Sequence, residues 1–137
     1  MKIEIQKEWY SVEQCLANPN KLYVFGDNSL RIGKGGQAQI RDCKNSYGIA
    51  TKYTPRMDNE AFFSDKPDQA EIVFNDIKEL YEFYITDKTD IIDTIVFPAD
   101  GLGTGLSEMP LRSPKMFKWL HETISLLFDI NYIPFNK

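Results

Sequence analysis

Residues 22–36 read LYVFGDNSLRIGKGG, and residues 91–105 read IIDTIVFPADGLGTG. Each stretch opens with an apolar run that is typical of a buried strand and continues directly into a glycine-rich loop. Glycine accepts positive φ angles and lets the backbone approach a ligand closely. Two such loops at the carboxyl ends of strands indicate the edge at which open α/β sheets bind phosphorylated ligands.

The composition is that of one ordinary globular domain over residues 1–137, with 42% hydrophobic and 13% aromatic residues. Two cysteines without CxxC spacing and a single histidine indicate a reduced, cytoplasmic setting and no metal or other cofactor. The chain shows no apolar leader and no run as long as a membrane span, so we expect no membrane partner.

Charge is distributed unevenly along the chain. The formal net charge of −4 argues against general binding to nucleic acid. Residues 29–57 nevertheless carry six basic side chains and one acidic one, whereas residues 58–93 carry eleven acidic and three basic ones. Because the basic stretch contains the first glycine loop, it favours a small anionic ligand there.

The remaining segments alternate between strand and helix patterns. Strands are predicted at 2–6, 22–25, 48–53, 91–97 and 131–135, with the first and last at the edges of the sheet. Helices are predicted at 11–17, 37–43, 67–84 and 113–128, the first and last of them capped by serine. This order predicts an α/β layered domain with a largely parallel or mixed sheet.

The first glycine loop combines features that an anionic ligand requires. Free backbone N–H groups, a following helix and the basic Arg31 and Lys34 would all attract negative charge. The candidate ligand-binding residues are Gly26, Arg31, Gly33, Gly35, Gly36 and Gln37. Asp27 and Asn28 end the strand and can hydrogen-bond a sugar hydroxyl, although a turn or cap role is equally typical of these residue types.

The second glycine loop does not fit the common nucleotide-binding patterns. Its glycines are followed by no Lys-Ser or Lys-Thr pair, and their GxGxG spacing differs from the dinucleotide GxGxxG. Alternating glycines can point successive N–H groups into one concavity, where each charge-assisted hydrogen bond to a phosphate contributes roughly 1.5–3 kcal/mol. The candidate ligand-binding residues are Gly101, Leu102, Gly103, Thr104, Gly105 and Leu106.

These two segments resemble the macrodomain family. Residues 25–30 and 33–38 are similar to the macrodomain segment in which an Asn and a Leu precede a glycine cluster and a helix. Residues 95–106 are similar to the later strand of that family, where an apolar-Phe-Pro-Ala run enters the phosphate loop. The order and spacing of both segments agree over residues 22–110.

The resemblance implies an α/β/α module that binds ADP-ribose or a related nucleotide, and some macrodomains hydrolyse ADP-ribosyl bonds or phosphate esters. It implies that Asn28 lies beside the distal ribose and that residues 103–106 wrap the diphosphate. A hydrolase would hold water against Asn28 or Asp27, with Asp100 as a second candidate base. Because no paired acid and base is visible in the sequence, ligand binding alone is the preferred interpretation.

Two alternatives belong to other functional classes. One is a non-catalytic module, such as a phage or bacterial regulator, that sequesters a partner through an exposed aromatic loop around Phe62 and Phe63. The other is a domain that binds a nucleotide sugar or a cyclic nucleotide through the same two loops. If ADP-ribose is the ligand, the partner is either the free molecule or an ADP-ribosylated macromolecule.

Overall fold

The computed structural model describes residues 1–86 and 91–136, and it has a four-stranded sheet with strand order β1-β4-β2-β3. The strands are β1 Lys2–Gln6, β2 Lys21–Asn28, β3 Ser46–Lys52 and β4 Thr94–Pro98. The helices are α1 Val12–Ala17, α2 Pro67–Thr86, α3 Met109–Arg112 and α4 Pro114–Phe128. All three pairings between these strands are parallel. The prediction of an α/β fold is therefore confirmed.

Strand β2 lies inside the sheet, as its unbroken apolar run predicts. Val24 faces the core that α2 and α4 complete, whereas Tyr23 and Phe25 face a second core that includes residues of α1. Strand β4 divides in the same way, with Val96 on the side of Tyr23. Burial on both faces explains why neither strand alternates polar and apolar residues.

The predicted helix at 37–43 is wrong. The chain forms only a short 3-10 helix, Gly36–Ile40, before it reverses direction into β3. Ser46 closes this reversal by donating its hydroxyl to the carbonyl of Cys43 at 2.8 Å. Residues 41–45 form turns and do not continue this helix, so the first loop lacks the α-helix dipole that the sequence predicted there.

The predicted strand at 131–135 is also wrong, because this segment packs on α4 and ends in the 3-10 helix Pro134–Asn136. The Tyr132 N–H donates to Ser125 Oγ at 2.9 Å, and the Tyr132 hydroxyl donates to the carbonyl of Pro98 at 2.5 Å. These bonds hold the segment across the carboxyl end of β4 instead of along a sheet edge. Over the described ranges, no helix is both long and apolar enough to cross a bilayer.

Candidate functional site

The two glycine loops meet at the carboxyl edge of the sheet. They follow β2 and β4, which are neighbours, and the chain leaves these strands toward opposite faces. A Cβ on Gly26 would lie 3.0 Å from the backbone nitrogen of Gly103, and a Cβ on Gly35 would lie 2.8 Å from Leu106 Cδ1. The absence of side chains at these glycines is thus what lets the loops touch. A divergence of this kind creates the crevice in which α/β sheets bind ligands.

Cleft A, with a volume of about 100 Å³, lies between the two loops. It is lined by Trp9, Gly26, Gly35, Gly36, Gln37, Pro98, Asp100, Gly101, Gly103, Thr104, Gly105, Leu106 and Ser107. Ten of the fifteen residues predicted from the sequence are among them. The structure therefore brings the two predicted loops together around one cavity.

Backbone amides are the main polar groups that the second loop offers to cleft A. Within the part of the chain that the structure describes, the N–H groups of residues 103–107 have no protein acceptor. Gly103 has φ +83°, a conformation open to glycine, and its carbonyl accepts from the Met109 N–H at 2.9 Å. A run of unpaired amides on a tightly folded loop is suited to binding an oxyanion.

His121 supports the second loop from beneath. Its Nε2 accepts from the Leu102 N–H at 2.9 Å, and its Nδ1–H donates to the carbonyl of Phe117 at 2.6 Å. The ring is fully buried, and this burial lowers the pKa of His121 from 6.5 to about 4. His121 is therefore a neutral structural residue. Leu102 itself is buried in the core and does not line the cleft.

Asp27 is occupied inside the protein. Its carboxylate accepts two hydrogen bonds from the Arg41 guanidinium, at 2.6 and 2.9 Å, and a third from the Asn28 N–H at 2.8 Å. Asn28 in turn donates its amide to the carbonyl of Ile32 at 2.8 Å and accepts from the Leu30 N–H at 3.1 Å. Asp27 and Asn28, two of the three predicted catalytic residues, thus stabilise the conformation of the first loop.

The basic residues predicted to attract the ligand lie elsewhere. Arg31 makes a bidentate ion pair with Asp76 of α2, at 2.6 and 2.7 Å, and does not line cleft A. Lys34 is exposed and pairs with Asp42. The position of Arg31 and Lys34 beside the first loop in the sequence therefore did not predict which groups their side chains contact.

Cleft B, of about 70 Å³, adjoins cleft A. The two cavities share Gly26, Gly35, Leu106 and Ser107. Asp27, Asn28 and Gly33 line only cleft B, together with Lys52 at the end of β3. Lys52 is 4% exposed, and burial lowers the pKa of its ammonium group.

Trp9 is the aromatic side chain that cleft A exposes to solvent. It follows β1, is 62% exposed and lies beside Gly36 and Gln37. Gln37 fixes this rim by accepting from the Tyr10 N–H at 3.0 Å. The sequence offered a signal for this residue, since Trp9 follows the charged Lys7 and Glu8 in the loop after β1 and belongs to no helical or strand pattern.

Asp100 also lines cleft A and is exposed. Phe62 and Phe63, in contrast, are 3% and 1% exposed, so the predicted exposed aromatic loop is wrong. Phe62 is covered by the Arg112 guanidinium, 3.7 Å from the ring centroid, and by Lys52 Nζ at 4.2 Å. Among residues 1–86 and 91–136 the structure contains no cluster of three or more potential metal ligands.

Fold and site together define an α/β domain with glycine-lined cavities at the carboxyl edge of a parallel sheet. The chain belongs to DUF7831, a family of unknown function whose model matches residues 5–123. No curated protein and no solved structure matches the chain.

Proposed function

We propose that this protein binds ADP-ribose or a related nucleoside diphosphate in cleft A. The observation that carries the proposal is the run of unpaired amides at 103–107, which belong to residues that line the cleft together with the first glycine loop. Such amides bind the diphosphate without any cationic side chain, as in other backbone anion sites. The resemblance of both loops to macrodomain segments supports ADP-ribose as the ligand. We also propose that the domain has the three-layer α/β/α arrangement of macrodomains.

Trp9 supplies a surface for the base. A cavity of about 100 Å³ holds phosphate groups but not a whole nucleotide, so the base must extend beyond it. Trp9 stands at the rim with most of its indole exposed. Stacking on one aromatic ring contributes roughly 1–3 kcal/mol per base and tolerates different bases.

Binding without hydrolysis is the form of the proposal that the contacts favour. Asp27 is neutralised by Arg41, and the Asn28 amide is committed to the turn. Of the three candidate catalytic residues, Asp100 alone lines cleft A, and its side chain is exposed to solvent. A hydrolase would depend on Asp100, and turnover of an ADP-ribosylated substrate that Asp100→Asn abolishes would support it.

Gly105 offers a matched pair of variants for testing the site. A Cβ at Gly105 would meet no atom within 4 Å, whereas one at Gly103 would collide with Met109. Gly105→Asp and Gly105→Asn therefore differ in charge but hardly in shape. We expect calorimetry to show saturable binding of ADP-ribose to the wild-type protein. Gly105→Asp should weaken the affinity at least about tenfold more than Gly105→Asn, a difference of roughly 1.4 kcal/mol in binding free energy.

The same titration can reject the proposal. Equal affinities for the two variants would place the diphosphate elsewhere, and no heat with wild-type protein at about 1 mM ADP-ribose would exclude a functional affinity. A thermal-shift comparison of ADP-ribose, NAD, ATP and cyclic nucleotides distinguishes the ligand classes, because the tightest ligand raises the melting temperature most.

A further inference from the structure

Lys52 is a buried cation without a counter-ion. The structure shows no carboxylate paired with its ammonium group within residues 1–86 and 91–136. The two nearby acids are already engaged, since Glu108 pairs with Arg112 at 3.2 Å and Asp58 pairs with Arg56 at 3.1 Å. Removing a charge from water is costly unless a partner compensates it. A buried lysine of this kind is therefore a candidate for binding something that the protein itself does not supply.

The hydrogen bonds of Lys52 leave donor capacity free. Nζ donates to the carbonyl of Arg56 at 2.7 Å, but its other acceptors are the Met57 sulfur at 3.6 Å and the Leu106 carbonyl at 3.4 Å. A thioether is a weak acceptor, and 3.4 Å is long for a bond from an ammonium group. An oxyanion in cleft B would replace both with short charge-assisted bonds.

The other charges around cleft B add up in favour of an anion. Asp27 lines the cleft, but Arg41 holds it in a bidentate ion pair and Arg31 NH1 lies 3.7 Å away. The Arg112 guanidinium contacts the same Phe62 ring as Lys52 Nζ, but its charge is paired with Glu108. Among the described residues, Asp27 and Lys52 are the charged side chains that line cleft B, and because Asp27 is paired with Arg41, the unpaired charge of Lys52 leaves the cavity positive.

We propose that cleft B is a second anion-binding site, in which the ammonium group of Lys52 binds a carboxylate or phosphate group. Its volume of about 70 Å³ accommodates several waters at roughly 10–15 Å³ each, and hence one such group. The site differs from cleft A in its lining, because Asp27, Asn28 and Lys52 border cleft B and not cleft A. A single ligand that occupies both clefts would place its diphosphate in cleft A and a second anionic group in cleft B. This link between the two clefts rests on the proposed function.

The decisive experiment follows Lys52 itself. Inorganic phosphate is titrated into wild-type protein while the side-chain resonances of ¹³C-labelled lysines are recorded by NMR, and the Lys52 signal is assigned by its loss in Lys52→Met. We expect this signal to shift saturably with phosphate and the apparent pKa of Lys52 to rise. Lys78, exposed on α2 and remote from both clefts, is the internal control. A Lys52 signal that moves no more than that of Lys78 overturns the proposal.

A second experiment connects the two clefts. UDP-glucuronate and UDP-glucose differ by one carboxylate in the distal sugar, and we expect wild-type protein to bind the former about tenfold more tightly. Lys52→Met should remove this preference, whereas Lys78→Met should retain it. Equal binding of both sugars by the wild type contradicts the link between the clefts. Because the phosphate titration uses no nucleotide, failure of the proposed function leaves its outcome readable.

Discussion

The imidazole Nε2 of His121 accepts the backbone N–H of Leu102 at 2.9 Å, so a buried side chain of α4 fixes the conformation of the second glycine loop. This bond requires the neutral ring, because a protonated imidazole donates from both nitrogens. The shape of cleft A is therefore coupled to the protonation state of a residue that does not line it.

Stability should consequently fall in mild acid. The pKa of His121 is lowered from 6.5 to about 4, so between these values the unfolded chain binds a proton that the folded chain does not. Stabilisation from the neutral ring is complete above pH 6.5 and declines toward pH 4, by roughly 3 kcal/mol. Urea denaturation of wild type and His121→Gln across this range measures the effect.

The variant also supplies the control for that measurement. The chain has one histidine, so subtracting the His121→Gln curve removes the contribution of the carboxylates. We expect the wild type to be the more stable protein at pH 7 and the two to converge in acid. Parallel curves would show that the ring titrates equally in both states.

Asp27→Asn should act mainly on stability. Breaking one side of a buried, bidentate ion pair leaves Arg41 without its counter-ion, which costs about 3 kcal/mol or more. Asp42→Asn is the matched control, because Asp42 pairs with Lys34 at the exposed surface and its removal should cost less than about 1 kcal/mol. Thermal denaturation of both variants tests this order, and similar melting temperatures would contradict it.

Trp9→Ala should weaken nucleotide binding without changing the fold. The side chain is 62% exposed, so its loss removes little packing but the whole stacking surface, roughly 1–3 kcal/mol of binding free energy. Wild-type tryptophan fluorescence should change on ADP-ribose addition, and this change should persist in Trp119→Phe. A response lost in Trp119→Phe and kept in Trp9→Ala would assign the base to another surface.

For Ser113→Ala, the N-cap role predicted from the sequence and the observed structure lead to opposite expectations for stability. An N-cap serine replaced by alanine normally costs about 1 kcal/mol. Within the described residues, however, Ser113 Oγ is buried and makes no hydrogen bond, so its removal should be neutral or stabilising. Urea denaturation decides between the two signs. Ser11→Ala is the positive control, because Ser11 Oγ does accept from the Gln14 N–H at 3.0 Å.

Local pattern was sufficient to predict the four strands of the sheet and α2, although it also predicted a fifth strand at 131–135 that does not form. Unbroken apolar runs defined β2 and β4, and three and four residue spacing defined the long helix. The helix at 37–43 failed because helix-forming composition does not reveal that the chain must turn back within a few residues to pair at Ser46. Propensity is a local quantity, and tertiary connection overrides it.

The glycines of the site were predictable, whereas its charges were not. The strand that precedes a glycine loop in the sequence predicts where the loop lies in the fold. The ion-pair partner of an arginine depends instead on distant segments of the chain, as with Arg31 and Asp76. Lys52 carried one overlooked signal. It ends a buried strand on the same edge as both loops, where an ionisable side chain is positioned to reach a ligand.

The first loop is held by bonds from Asp27, Asn28 and Arg41, including the 2.7 Å bond from Arg41 Nε to the Gly33 carbonyl. Its conformational entropy is therefore lost when the chain folds and not when a ligand arrives. A preorganised loop contributes its full contact energy to affinity, and the free and liganded proteins should superimpose closely at these residues. The internal bonds of Asp27 and Asn28, two residues that were predicted to contact the ligand, thus hold the first loop in one conformation. Ligand binding therefore requires no closure of this loop.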